Sequence, residues 1–136
     1  MKSLVAVVVL ALALHSVASQ SEYLQEVINS YLKYIPKVEE ACRALTGVDP
    51  VEADRLLNPG VLSVDEPFKN YLTCLFRGLD LLNDDGSINF GKFTVFMAKE
   101  NPGLAEFIIK ACGSSEVGED VNERLWNFTN CVFQVL

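Results

Sequence analysis

The pattern of apolar positions is strongest between residues 66 and 82, where apolar side chains recur every three or four residues. This spacing predicts an amphipathic helix with one broad apolar face. Asp65 is suited to cap its first turn, Pro67 suits the first helical positions, and the polar turn at residues 83–86 would end it. The apolar face consists of Phe68, Tyr71, Leu72, Leu75, Phe76, Leu79 and Leu82. Such a wide face needs apolar partners on several sides, so we expect this helix to lie at the centre of the fold.

The same periodicity predicts five further helices along the chain. They cover residues 22–45, 50–57, 90–97, 104–112 and about 119–135. Pro36 would kink the first of these helices, because proline lacks the backbone N–H that a helix interior uses. A half-buried strand would alternate apolar and polar residues, and no stretch sustains that alternation. The sequence therefore predicts an all-α fold of six short helices in one compact domain.

The amino-terminal residues have the pattern of a secretory signal peptide. Met1 and Lys2 give a positive start, residues 4–14 are almost all aliphatic, and small residues follow at 16–19. The apolar run is shorter than the about 20 residues that a transmembrane helix needs. We therefore expect residues 1–19 to be a signal peptide. Residues 20–136 would form a single soluble domain, secreted into extracellular fluid and without stable membrane insertion.

Charge and histidine content exclude several functions. Without Lys2, the chain has ten basic and eighteen acidic residues, and this excess of negative charge disfavours nucleic-acid binding. The single histidine, His15, lies in the predicted signal peptide, so the domain has no imidazole for general-base catalysis or metal binding. The chain also has no glycine-rich phosphate loop. We predict that the protein is not an enzyme and uses no cofactor.

The residues with distinctive chemistry are four cysteines: Cys42, Cys74, Cys112 and Cys131. In a secreted chain an even number of cysteines predicts disulfides, and four allow three pairings. No pair has the close spacing of a zinc site.

The acidic turn at 83–86 would place Leu81 and Lys92 where a calcium loop needs carboxylates, so we predict no metal site. Residues 127–129 match the N-glycosylation pattern but fall inside the last predicted helix, which leaves modification of Asn127 open.

The apolar content of the predicted helices allows two interpretations. The inward side chains could fill a closed core, or they could surround a cavity for a small hydrophobic molecule, since ligand pockets are mostly apolar. Periodicity does not distinguish a filled core from a hollow one. The inward-facing candidates that periodicity supplies are Leu79, Phe93, Phe96, Leu125 and Phe128.

The spacing of the cysteines points to a known family. Successive cysteines are separated by 31, 37 and 18 residues. Together with the signal peptide, the acidity, the size and six helices, this spacing resembles that of the insect odorant-binding protein family, which includes pheromone- and general-odorant-binding proteins. Most members have six cysteines, and the two additional positions fall here on Asn70 and Asn122. The chain therefore resembles a four-cysteine, "minus-C" member.

The resemblance implies a structure and a function. It implies disulfides Cys42–Cys74 and Cys112–Cys131, which would staple six helices around an apolar ligand cavity. It also implies a secreted carrier that binds odorants, pheromones or similar hydrophobic semiochemicals. We expect a monomer or weak homodimer whose further partner would be a chemosensory receptor. Positions that match cavity-lining positions in the family are Ile35, Leu72, Phe76, Leu82, Ile109 and Val132. Without the third disulfide, we expect a more adaptable cavity than six-cysteine members have.

Two alternatives stay open at the level of sequence. One is a secreted helical signalling or interaction protein, which would have a solid core and would not bind small apolar molecules. The other is a non-olfactory carrier of the same fold, which would differ in tissue rather than in chemistry.

Overall fold

The computed structural model describes residues 22–136, so the predicted signal peptide at residues 1–19 lies outside the described residues. This part of the chain forms seven α-helices, two 3₁₀ turns and one isolated β-bridge, with no strand. The α-helices are α1 (22–31), α2 (Pro36–Thr46), α3 (Pro50–Leu57), α4 (Glu66–Gly78), α5 (Phe90–Ala98), α6 (Leu104–Cys112) and α7 (Val121–Val135). The predicted all-α fold is confirmed.

The first predicted helix is two helices in the structure. A 3₁₀ turn at Leu32–Tyr34 follows α1, and α2 then begins at Pro36. Proline suits this first helical position, because the backbone N–H that it lacks would have no helical partner there. The predicted kink is therefore a full break, and six predicted helices become seven.

The central helix α4 ends at Gly78, four residues earlier than the sequence predicted. Gly78 lies so close to α2 that a Cβ atom at this position would overlap Val38 Cγ1. Two residues later, Asp80 adopts the left-handed conformation with a φ of 59°, which ends the helical path. Leu82 therefore lies outside α4 and pairs with Ile88 in the isolated bridge.

Buried apolar side chains form two clusters. The first cluster is built mainly from α1, α5, α6 and α7, and the second mainly from α2, α3 and α4. Phe76 of α4 and Phe133 of α7 are partly buried and pack against both clusters. The core is therefore divided, and its two parts meet where α4 faces α7.

Each disulfide lies within one cluster. Cys42–Cys74 joins α2 to α4 in the second cluster, with the two Cα atoms 5.7 Å apart. Cys112–Cys131 joins α6 to α7 in the first cluster, with a Cα–Cα distance of 5.8 Å. This is the pairing that the family resemblance implies. Between residues 22 and 136, no disulfide joins one cluster to the other.

The two asparagines at the positions of the missing bridge form a hydrogen bond. Asn122 Nδ2 of α7 donates to Asn70 Oδ1 of α4, and Thr73 Oγ1 donates to Asn122 Oδ1 over 2.6 Å. Nearby, Trp126 Nε1 donates to the Ser63 carbonyl over 2.8 Å. Non-covalent bonds thus link α7 to α4, at the place where a six-cysteine chain would have a covalent one.

Candidate ligand-binding cavity

A cavity of about 180 Å³ lies between the two clusters. It is lined by side chains from α1, α3, α4, α5, α6 and α7, together with neighbouring loop residues, and none of these side chains is charged. Six of the twenty-one lining residues are aromatic. The lining residues are Leu24, Val27, Ile28, Tyr31, Ile35, Leu56, Leu57, Leu72, Leu75, Phe76, Leu79, Leu81, Phe93, Phe96, Met97, Ile108, Phe128, Thr129, Val132, Phe133 and Leu136.

Only Tyr31 and Thr129 bring hydroxyl groups to this lining, and both groups donate elsewhere. The Tyr31 hydroxyl donates to the Met97 carbonyl over 2.5 Å and accepts from Asn101 Nδ2 at 3.1 Å. Burial raises the pKa of Tyr31 above its ordinary value of 10.0, so its hydroxyl stays neutral. Thr129 Oγ1 donates to the Leu125 carbonyl over 2.8 Å. The cavity therefore presents apolar surface and no free side-chain hydrogen-bond donor.

Eight of the eleven ligand-binding residues named from the sequence line this cavity. The structure brings them together from α4 and the residue after it, from α5 and α7, and from the break before α2. They are Ile35, Leu72, Phe76, Leu79, Phe93, Phe96, Phe128 and Val132.

The other three candidates, Leu82, Ile109 and Leu125, do not line the cavity. Leu82 lies beyond the end of α4 and pairs with Ile88 in the isolated bridge. Ile109 lies about 100° around α6 from its neighbour Ile108, and Ile108 is the residue that reaches the cavity. Leu125 is fully buried and packs within the first cluster.

The main omission from the sequence analysis is α1. Four of its residues, Leu24, Val27, Ile28 and Tyr31, line the cavity. Their spacing of three and four predicted an inward stripe, but it gave no sign that the stripe faces a void rather than packed side chains. The end of α7 was also left out, and it contributes Phe133 and the buried Leu136.

Aromatic and charged side chains form a cluster beside the cavity. The Tyr31 ring stacks on Phe96 with the centroids 5.3 Å apart, and the Tyr34 ring meets Phe96 edge-on at 5.6 Å. The Tyr34 hydroxyl donates to Glu100 Oε1 over 2.8 Å, and Lys33 forms an ion pair with the same carboxylate. Hydrogen bonds from Lys33 and then Tyr34 hold the pKa of Glu100 below its ordinary value of 4.5.

The lowered pKa of Glu100 predicts how the affinity for a ligand of the cavity depends on pH. Its lowered pKa means that its bonds to Lys33 and Tyr34 are intact above pH 4.5 and are lost as the pH falls through the pKa of the folded state. We expect the affinity for any apolar ligand of the cavity to be constant between pH 7 and 6 and to decrease only when the pH falls below the ordinary pKa of 4.5. Fluorescence titration with naphthalene across this range measures the effect.

Two variants separate this effect from general acid sensitivity. Glu100→Gln removes the charge at every pH, so it should bind more weakly than the unchanged protein at pH 7 and show a smaller further loss in acid. Glu106→Gln changes an exposed carboxylate of α6 and should behave like the unchanged protein. A binding midpoint between pH 6 and 7 would contradict the assignment to Glu100.

The described part of the chain offers less evidence for a metal site, a membrane-spanning helix or a glycosylation site. In residues 22–136, no group of three or more His, Cys, Asp or Glu side chains is arranged to hold a metal ion. Over the same residues, no helix combines the length and apolar character needed to cross a bilayer. The Thr129 hydroxyl, which the glycosylation pattern at Asn127 requires, is buried and bonded to the backbone. The apolar cavity is therefore the candidate site.

Comparison with known proteins identifies a family and a similar fold. Residues 25–135 match the profile of the PBP/GOBP family, which covers most of the chain. A similar solved structure is odorant binding protein 7 from Anopheles gambiae, which has four disulfide bridges and is in complex with an azo compound. It shares 20% identity at a TM-score of 0.66, over 78% of this chain and 85% of that chain, which shows a common fold. No curated protein sequence matches the chain.

Proposed function

The chain belongs to the PBP/GOBP family, and we propose on this basis that it is a secreted carrier of small hydrophobic molecules such as odorants or pheromones. It binds them in the interior cavity and releases them unchanged, without catalysis or a cofactor. The observation that carries the proposal is the uncharged cavity at the junction of the two apolar clusters. A signalling protein with a solid core would have no need of such a cavity.

The cavity volume fits a ligand of one aromatic ring or of two fused rings. An apolar protein cavity of about 150 Å³ stays dry and binds benzene, and this cavity has about 180 Å³. A ligand of this size buries about 250 Å², comparable to a large aromatic side chain. At about 25 cal/mol per Å², this burial contributes about 6 kcal/mol, which corresponds to a Kd on the order of 10 μM.

The polarity of the lining favours neutral ligands without hydroxyl or acid groups. A ligand hydroxyl that enters the cavity leaves its water partners, and the Tyr31 and Thr129 hydroxyls already donate to backbone carbonyls. An unpaired buried polar group costs about 1–3 kcal/mol, and a buried charge costs more. The aromatic side chains further favour ring ligands, because edge-on and offset ring pairs are attractive.

Titration with naphthalene and 1-naphthol tests the proposal, because the two molecules share one ring system and differ by a hydroxyl. We expect naphthalene to bind with 1:1 stoichiometry and a Kd on the order of 10 μM. We expect 1-naphthol to bind at least about five-fold more weakly. Absence of naphthalene binding would favour the solid-core alternative and overturn the carrier assignment.

The hydrogen bond between Asn70 and Asn122 predicts an adaptable cavity. Because this bond is not covalent, α4 and α7 can separate to admit a ligand larger than 180 Å³. In Asn70→Cys/Asn122→Cys, a new disulfide would fix the two helices and raise the free energy of unfolding by about 4 kcal/mol. We expect the affinity for the three-ring probe N-phenyl-1-naphthylamine to fall more than the affinity for naphthalene. Parallel fluorescence titrations measure the ratio of the two affinities.

The matched control is Asn70→Ser/Asn122→Ser, which removes the amide hydrogen bond without adding a covalent one. It should keep or increase the relative affinity for the larger probe. If the new disulfide forms and the ratio of affinities does not change, the idea of an adaptable cavity is wrong.

A further inference from the structure

A second concave site lies on the outside of the molecule, between α2, α4 and the first turn of α7. It is an open groove of about 640 Å³ with the Cys42–Cys74 disulfide in its lining. None of the residues that line this groove also lines the interior cavity. A ligand of the groove would therefore contact none of the side chains that line the cavity.

The groove has a cationic end. Cys42 is bonded to Cys74, and Val38 lies against Gly78, so α2 and α4 run in opposite directions along the groove. This arrangement places Lys37, at the start of α2, at the same end as Arg77, near the end of α4.

The cationic end contrasts with the rest of the protein. The formal net charge of the chain is −7, yet no aspartate or glutamate lines the groove. Within residues 22–136, the ion pairs involve neither Lys37 nor Arg77. Two cations that form no ion pair attract an anion from solution, and the low dielectric of the adjacent protein strengthens that attraction.

An apolar row leads away from the cationic end. Val38, Ala41 and Leu45 follow one another on the same side of α2 at steps of three and four residues. Leu45 is the most exposed large apolar side chain of the described residues, with 79% of its surface accessible. From Val38 to Leu45 the row extends about 10 Å along the helix, which matches an alkyl chain of about eight to ten carbons.

We propose that this groove binds a small amphipathic carboxylate, such as a medium-chain fatty acid. The carboxylate lies between Lys37 and Arg77, and the alkyl chain covers the row that ends at Leu45. The interior cavity takes neutral molecules and the groove takes anionic ones, so the protein carries two chemical classes at separate sites. The assignment of the groove rests on its own charge and shape, whereas the neutral class rests on the proposed function of the cavity.

Calorimetric titration with decanoate tests the groove, using two substitutions that make the same change in charge and polarity. Leu45→Glu places a carboxylate in the groove and should weaken decanoate binding at least ten-fold. Val95→Glu changes a similarly exposed residue of α5, 68% accessible, and should leave decanoate binding unchanged. Raising the salt concentration should weaken binding in the unchanged protein, because salt screens exposed charges.

A second pair of variants tests the cations directly. Lys37→Gln/Arg77→Gln should weaken decanoate binding at least ten-fold, whereas Lys110→Gln/Arg55→Gln, which removes two exposed cations elsewhere, should not. Saturating the protein with naphthalene should leave decanoate binding unchanged, which keeps this test separate from that of the cavity. The proposal is overturned if both members of either variant pair bind decanoate with equal affinity, or if naphthalene displaces decanoate. It is also overturned if an Asp- and Glu-rich peptide binds and decanoate does not.

Discussion

Val132→Phe should reduce the affinity for naphthalene at least about thirty-fold, which corresponds to about 2 kcal/mol. Val132 lies on α7 and lines the cavity, so a phenyl ring at this position occupies space that a ring-sized ligand needs. The substitution should not unfold the protein, because the ring enters a void of about 180 Å³. Cavities destabilise by about 24 cal/mol per Å³, so partial filling should raise the free energy of unfolding by about 1 kcal/mol.

Val135→Phe is the matched control for this substitution. Val135 lies one turn further along α7, is exposed and does not line the cavity, so the same chemical change there should leave naphthalene affinity within two-fold. Fluorescence titration gives both affinities, and urea denaturation gives both free energies of unfolding. The assignment of the cavity as the binding site fails if Val132→Phe remains folded and binds naphthalene as tightly as Val135→Phe does.

The helices were predictable from sequence because their apolar faces follow local periodicity. Helices α5 and α6 begin and end close to the predicted positions, and both are flanked by residues with local cues, such as Asn89, whose side chain accepts from the Lys92 N–H. The end of α4 was not predictable in the same way. The chain leaves the helical path at Asp80, which adopts the left-handed conformation although it is not a glycine. Two residues earlier, Gly78 packs against Val38, forty positions away in sequence.

The candidate site was predictable only in part, because the direction of a side chain does not reveal what it faces. Leu125 and Phe128 belong to the same inward stripe of α7, yet Phe128 lines the cavity and Leu125 is packed within the first cluster. The difference arises from how the two clusters meet around α4, which depends on the whole fold. The location of the cavity thus follows from packing between distant helices, while its apolar character follows from the sequence.

Removal of either disulfide should lower the free energy of unfolding by about 3–4 kcal/mol. The chain-entropy account assigns a larger effect to Cys42–Cys74, whose cysteines are 32 positions apart, than to Cys112–Cys131, separated by 19. The expected difference between them is about 0.4 kcal/mol. Losses of this size are large for a single domain, whose total stability is about 5–15 kcal/mol. Urea denaturation of the two double Cys→Ser variants measures them.

Parallel double Cys→Ala variants separate loss of the disulfide from burial of new hydroxyl groups, because Cys42 and Cys112 are both almost fully buried. The loss common to the Ser and Ala variants belongs to the disulfide. Each cluster of the core has one disulfide, and the hydrogen bonds between Asn70, Thr73 and Asn122 remain available in every variant. A common loss below about 1 kcal/mol for either disulfide would mean that packing within that cluster, rather than the covalent link, holds its helices together.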